Sequence, residues 1–209
     1  MKGYRVHADN LMVALGPRAL LFSRHQRLKF RDILINLSIA SASPNFEIAN
    51  NFKKINSLKF NFIQKIDNNN SEKGECIILY PKKIFCSYDD IYNKILVSNG
   101  KSLVINSDKI KNYFRYPLDK TPLNFILDKE FIISKIYELK DDLDYPFFYV
   151  FDVNYQNVSI KVFFDKKNLN LIGWEIRDIY QNTTQTFISD IQKNITVDNK
   201  IFVIQKYIN

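Results

Sequence analysis

Residues 74–103, GECIILYPKKIFCSYDDIYNKILVSNGKSL, decide how the chain reads. Their apolar side chains come in short runs broken by turn residues, too closely spaced for helices. Glu75–Tyr80 and Ile84–Tyr88 read as strands around Tyr80-Pro81-Lys82-Lys83. Lys94–Ser98 and Ser102–Asn106 read as two more around Asn99-Gly100, a strong type I′ hairpin signal. Upstream, Leu58, Phe60 and Phe62 alternate with Lys59, Asn61 and Lys65, the pattern of a half-buried strand with one apolar row. Ahead of that strand, Ser43-Pro44 reads as N-cap and first helical residue. Phe46, Ala49, Phe52, Ile55 and Leu58 follow at helical spacing, with Ile48 beside them.

Downstream, Ile110–Tyr116 reads as extended or irregular. Thr121-Pro122 repeats the cap-plus-proline start before a short helix, Leu123–Lys129, with Leu123, Ile126 and Leu127 on one side. Strands are expected near Ile132–Leu139, Phe147–Val153, Val158–Asp165, Leu169–Ile179, Thr184–Gln192 and Ile201–Lys206. Asp165-Lys166-Lys167-Asn168 and Tyr180-Gln181-Asn182-Thr183 are turns. The pattern predicts a mainly β domain with helices (α+β), residues 43–209, built on one antiparallel sheet of about ten strands that curls on itself. The helices carry apolar stripes, and the concave face of the sheet is available to bury them.

The chain has 209 residues, 46% of them apolar and 14% aromatic, and a net charge of +8. Residues 1–42 hold seven Lys/Arg against Asp9 and Asp32, so most of the excess lies in this leader. The remainder scatters Lys among Asp and Glu, which describes a solvated surface and not a nucleic-acid groove. Lys29-Phe30-Arg31, the apolar stretch 33–39 and Ala40-Ser41-Ala42 follow the order of a secretory signal. Asp32 and Asn36 interrupt it, and an ordinary N-terminal helix is the competing reading. Cleavage is expected near Ala42, releasing a soluble protein.

Chemistry-bearing patterns are scarce. His7 and His25 both lie in the leader, so the body lacks the commonest general base and metal ligand. No phosphate-cradling glycine loop or nucleophile motif occurs, and neither a cofactor nor catalysis is expected. Asp89-Asp90 and Asp141-Asp142 read as solvated turns, and Glu175 with Asp178 as an outward strand face. Cys76 and Cys86 would lie diagonally on neighbouring strands, either bridged or as two buried thiols. Apolar alternation is abundant: Phe147, Tyr149 and Phe151; Ile160, Val162 and Phe164; Trp174 and Ile176. These rows fit either a dry core under the helices or a cavity for acyl chains.

The order of these signals resembles the LolA-type outer-membrane lipoprotein carrier family. The resemblance is carried by Leu58–Gln64 after the first helix, Gly74–Phe85, Ile95–Leu103, Thr121-Pro122-Leu123 with Ile126-Leu127, and Ile172–Asp178 followed by Asn182-Thr183-Thr184. It covers roughly residues 45–206. It implies a curved antiparallel incomplete β-barrel covered by a helical lid over a hydrophobic cavity. It also implies a periplasmic, monomeric, non-enzymatic chaperone of outer-membrane biogenesis. Such a carrier takes acylated lipoproteins from an inner-membrane ABC transporter, with an outer-membrane acceptor as the onward partner. The implied acyl cavity and lid comprise Phe52, Phe60, Phe62, Ile78, Tyr80, Phe85, Leu96, Leu123, Ile126, Leu127 and Trp174.

Many members of that family place Arg before the hairpin proline, tying lid to sheet. Here Tyr80 stands there, expected to pack on the helix around 122–128, with Lys82 or Lys83 as candidate substitutes for the Arg. No Cys precedes Cys76, which sets aside a lipid-anchored acceptor of this fold. A periplasmic sensor or protein-interaction domain with a dry core is the remaining alternative, and an enzyme built on Glu175 or Asp178 a distant third.

Overall fold

The computed structural model describes residues 43–66, 70–109, 113–139, 145–155, 158–177 and 180–208. The leader and its signal-like segment, Asp141-Asp142 and Asp178 lie outside the described residues.

Helix α1, Pro44–Lys53, starts on Pro44, whose missing N–H costs nothing in a first turn. Ser43 offers its carbonyl to the amides of Phe46 and Glu47, but its side chain makes no cap bond. Ile48, Ala49 and Phe52 form the buried stripe, whereas Phe46 is half exposed. Strands β1 (Ser57–Lys65), β2 (Ser71–Leu79), β3 (Lys83–Tyr88), β4 (Ile95–Asn99), β5 (Ser102–Asn106) and β6 (Phe114–Pro117) follow as a meander. Helices α2 (Leu123–Ile126) and α3 (Lys129–Ile136) come next. A second meander closes the domain: β7 (Phe148–Tyr155), β8 (Val158–Asp165), β9 (Leu171–Arg177) and β10 (Thr183–Lys193).

Pairing of β1 with β10 joins the two meanders into one ten-stranded antiparallel sheet, ordered β6-β5-β4-β3-β2-β1-β10-β9-β8-β7. The sheet does not close, and β6 and β7 are its opposite edges. Two bulges interrupt its ladders: Asp190 and Ile191 oppose the single Phe60 at the β1–β10 junction, and Ile172 is the extra residue beside Phe163 and Phe164 nearer the β7 edge. The chain must travel from one edge of the sheet to the other between β6 and β7. Helices α2 and α3 lie in that crossing, and α3 packs beside α1. This is the expected incomplete barrel with a helical lid.

Several local readings are corrected. The segment read as a strand at Ile132–Leu139 is helix α3. Ile132, Ile133 and Ile136 are buried on one side of it, and the Asp128 carboxylate caps its start by accepting the Phe131 amide at 3.0 Å. That cap splits the expected helix Leu123–Lys129 in two. The segment read as a strand at Ile201–Lys206 forms two 3-10 turns, Asn199–Phe202 and Ile204–Tyr207. Strand β10 already has β1 and β9 as neighbours, so the chain after it finds no free edge. It lies on the outer face instead, where Ile204 packs with Val97 and Val104.

At Asn99-Gly100 only Gly100 takes positive φ (96°), so the turn is not type I′. The Asn99 side-chain oxygen instead accepts the amides of Lys101 and Ser102. Phe147 falls outside β7 and is 73% exposed.

Cys76 and Cys86 sit directly opposite each other, Cα atoms 4.1 Å apart, and are bridged. The diagonal expectation assumed a four-residue turn, but Leu79 pairs with Lys83, leaving three residues between the strands and moving the register by one. The bridge is buried in the core, where it closes a short loop and restricts the unfolded chain. Reduction, or paired replacement of both cysteines by alanine, is expected to lower stability by about 2–3 kcal/mol. Equal denaturation midpoints with and without reductant would contradict this.

Candidate functional site

The inner face of the sheet is an apolar floor. Alternation aims Leu58, Phe60 and Phe62 of β1 at it, with Ile78 of β2, Ile84 of β3, Ile188 of β10 and Trp174 of β9. Ile160, Val162 and Phe164 of β8 extend it to Phe151 and Val153 of β7. The helices supply the roof: Ile48, Ala49 and Phe52 from α1, then Ile126, Leu127, Ile132, Ile133 and Ile136 from the crossing. Rings interlock edge to face, Phe52 with Phe164 at 6.1 Å and Phe60 with Trp174 at 6.4 Å between centroids.

Of the eleven residues expected at the cavity and lid, ten gather in this cluster. Phe52, Phe60, Phe62, Ile78, Tyr80, Ile126, Leu127 and Trp174 are buried in it, and Leu96 and Leu123 pack against it partly exposed. Phe85 does not join them. Ile84 and Cys86 point inward, so Phe85 between them points outward and meets Tyr207 of the C-terminal segment, ring centroids 5.7 Å apart.

A polar fastening centred on Lys82 holds the crossing helices to the sheet. The β2–β3 turn sets Lys82 at φ 69°, a costly conformation for a non-glycine residue that neighbours must hold. Its N–H donates to the Leu127 carbonyl at 2.9 Å, and its carbonyl accepts the Ser98 hydroxyl at 3.0 Å. The ammonium meets Asp128 Oδ2 at 2.8 Å, Asn124 Oδ1 at 2.8 Å and the Asn124 carbonyl at 2.9 Å. Its three protons are thereby matched to three acceptors, one of them the Asn124 carbonyl of α2. Lys83 turns the other way, to Asn199 Oδ1 at 2.9 Å and over the Phe202 ring.

Partial burial works against the charge on Asp128 and would raise its pKa. Hydrogen bonds from Lys82 and from the Phe131 amide outweigh it and hold the carboxyl below its ordinary value. The Tyr80 ring meets Phe52 of α1 edge-on at 5.7 Å within the cluster that also holds Ile126 and Leu127, and its N–H donates to the Asn56 carbonyl.

The sequence reading named Lys82 but missed Asp128, Asn124 and Ser98. Asp128, three residues before Phe131 and between two apolar runs, carried a readable cap signal. Glu175 faces outward as expected but is only 8% exposed, accepting Gln185 Nε2 at 2.7 Å. Asp90 is spent on its own turn, accepting the amides of Tyr92 and Lys94. Among the described residues no three His, Cys, Asp or Glu side chains gather as a metal site, and no helix is long and apolar enough to cross a membrane.

An open antiparallel sheet with helices fastened over its apolar inner face defines an incomplete barrel with a helical lid. Residues 53–205 match the family model described as outer membrane lipoprotein carrier protein LolA, and the chain belongs to that family. No curated protein sequence matches the chain. Among solved structures, a LolA-superfamily protein from Nitrosomonas europaea is similar at 10% identity and a TM-score of 0.44, over 78% of this chain and 98% of the other. A DUF1329-family protein from Desulfovibrio piger is similar at 8% identity and a TM-score of 0.45, over 78% and 97%. MucB in the Pseudomonas aeruginosa MucA/MucB complex is similar at 12% identity and a TM-score of 0.41; the chain spans 60% of that protein and 78% of itself.

Lys82→Ala is expected to speed amide hydrogen exchange across residues 123–136 about tenfold, while amides of β1 and β10 stay protected. A uniform increase over the whole domain would contradict a local fastening. The depressed Asp128 pKa sets the sign of the acid response. The contribution of the fastening is complete at neutral pH and is lost as pH falls below the ordinary value of 3.8. Asp128→Asn should abolish that part of the acid sensitivity.

Proposed function

We propose that this chain shields the acyl chains of lipoproteins between the sheet and the α2–α3 lid and shuttles them through the periplasm. The route runs from the inner to the outer membrane. The observation that carries this reading is the division of forces at the site. The roof meets the floor through apolar side chains and is fastened by a partly buried polar knot at Lys82. An acyl chain can replace the roof side chains against the floor, exchanging one apolar contact for another. Each methylene kept from water is worth about 0.8 kcal/mol, so the site needs no catalysis to bind strongly. Breaking the knot is the cost of opening, and re-forming it favours release.

In this reading an inner-membrane lipoprotein-releasing ABC transporter loads the carrier, an outer-membrane acceptor unloads it, and the carrier works as a monomer. The family description supports the cargo class. A second reading has its own supporting observation. The inner face is filled by the chain's own side chains, with Phe52, Phe60, Phe164 and Ile78 almost wholly buried. A periplasmic sensor or protein-interaction domain would use such a dry core purely as a scaffold.

Native mass spectrometry of the protein purified from the periplasm of a lipoprotein-exporting bacterium separates the two readings. The carrier reading expects a bound triacylated species, depleted in Leu123→Glu, whose partly exposed lid position tolerates the charge. A folded protein of ligand-free mass would overturn it in favour of the interaction domain.

A further inference from the structure

Tyr80 spends a polar atom where none is needed. Its side chain lies in the core cluster that Ile126 and Leu127 of the lid complete, and the residue is 9% exposed. Its hydroxyl is the sole buried side-chain polar atom without a hydrogen-bond partner among the described residues. Buried polar groups are almost always paired, and an unpaired one is destabilising. The contact that the structure does show, edge-on to Phe52, needs only the ring. A phenylalanine would keep that contact and remove the unpaired group.

Two residues further on, Lys82 fastens the lid. The unpaired hydroxyl and the fastening therefore share one turn. Burial holds the phenol far above its ordinary pKa, so at neutral pH it is a donor.

We propose that the Tyr80 hydroxyl is a ligand-binding group that, once the lid is raised, donates a hydrogen bond to the carbonyl oxygen of an acyl ester or amide on the cargo. This rests on the carrier reading above. An acyl chain brings few polar atoms, and its ester or amide carbonyl is the acceptor it brings. Pairing that carbonyl with Tyr80 sets how deep the chain lies. It also gives the open, loaded state a bond that the closed state lacks, which is the differential interaction a ligand needs to shift the lid. The unpaired hydroxyl raises the free energy of the closed state and so favours opening.

The test is Tyr80→Phe in the full chain, titrated with three probes: a tripalmitoylated cysteine lipopeptide, its analogue with methylenes in place of the ester and amide carbonyls, and dipalmitoylphosphatidylglycerol. The lipopeptide is expected to bind the variant about fivefold more weakly than the wild type, and the carbonyl-free analogue equally. The ligand-free variant should melt a few degrees higher, because the unpaired hydroxyl is gone. A matching loss with the phospholipid would place the bond on a glycerol ester that both lipids share; a loss with the lipopeptide alone would place it on the acylated cysteine. Equal binding of the lipopeptide by variant and wild type, or equal weakening of all three probes, would overturn the role of Tyr80 and leave the carrier reading intact. Wild type that binds neither lipopeptide nor phospholipid would overturn both.

Discussion

Strand β1 is bonded on both sides, to β2 and to β10, and much of the molecule follows from the second of these pairings. It joins the start of one meander to the end of the other, which drives β6 and β7 to opposite edges. A chain that leaves one edge must return at the other. The connecting segment therefore has to cross the sheet, and apolar side chains every three or four residues let it cross as helices pressed on the inner face. The same pairing removes any free edge beside β10, so the last residues fold back over the outer face. The roof and the outer strap are both consequences of where two strands meet.

Fastening the roof by a polar knot at Lys82, over a largely apolar contact, has mechanical consequences. Apolar contacts are non-directional and tolerate exchange of partners. The ammonium of Lys82 is directional, and its three acceptors lie on both sides of the α2–α3 break. Loss of those bonds would remove the directional contacts of the crossing at Lys82, while the sheet keeps its own hydrogen bonds and the Cys76–Cys86 bridge.

The alternation of Leu58, Phe60 and Phe62, and that of Ile160, Val162 and Phe164, made the floor legible in the sequence, because a strand exposes its period directly. The roof was half legible. Leu123, Ile126 and Leu127 announced a helix, but Ile132, Ile133 and Ile136 are β-branched and were read as a strand. Burial against the floor and the Asp128 cap outweigh that propensity. Phe85 was assigned by its place in the hairpin motif, whereas its parity between Ile84 and Cys86 already put it on the other face. The cysteine register turned on a single residue of turn length, which periodicity does not report. Asn124 and Ser98 were illegible because their role is to meet Lys82 across the fold.

Carriage of acyl chains as proposed requires that they enter between floor and roof. Methyl-labelled NMR of the protein with a tripalmitoylated lipopeptide tests it directly. Contacts are expected from acyl methylenes to the methyl groups of Ile78, Ile160 and Ile188, with shifted signals from Ile132 and Ile136 as the roof moves. Acyl contacts confined to Val97, Val104 and Ile204 on the outer face, with the roof signals unmoved, would contradict it.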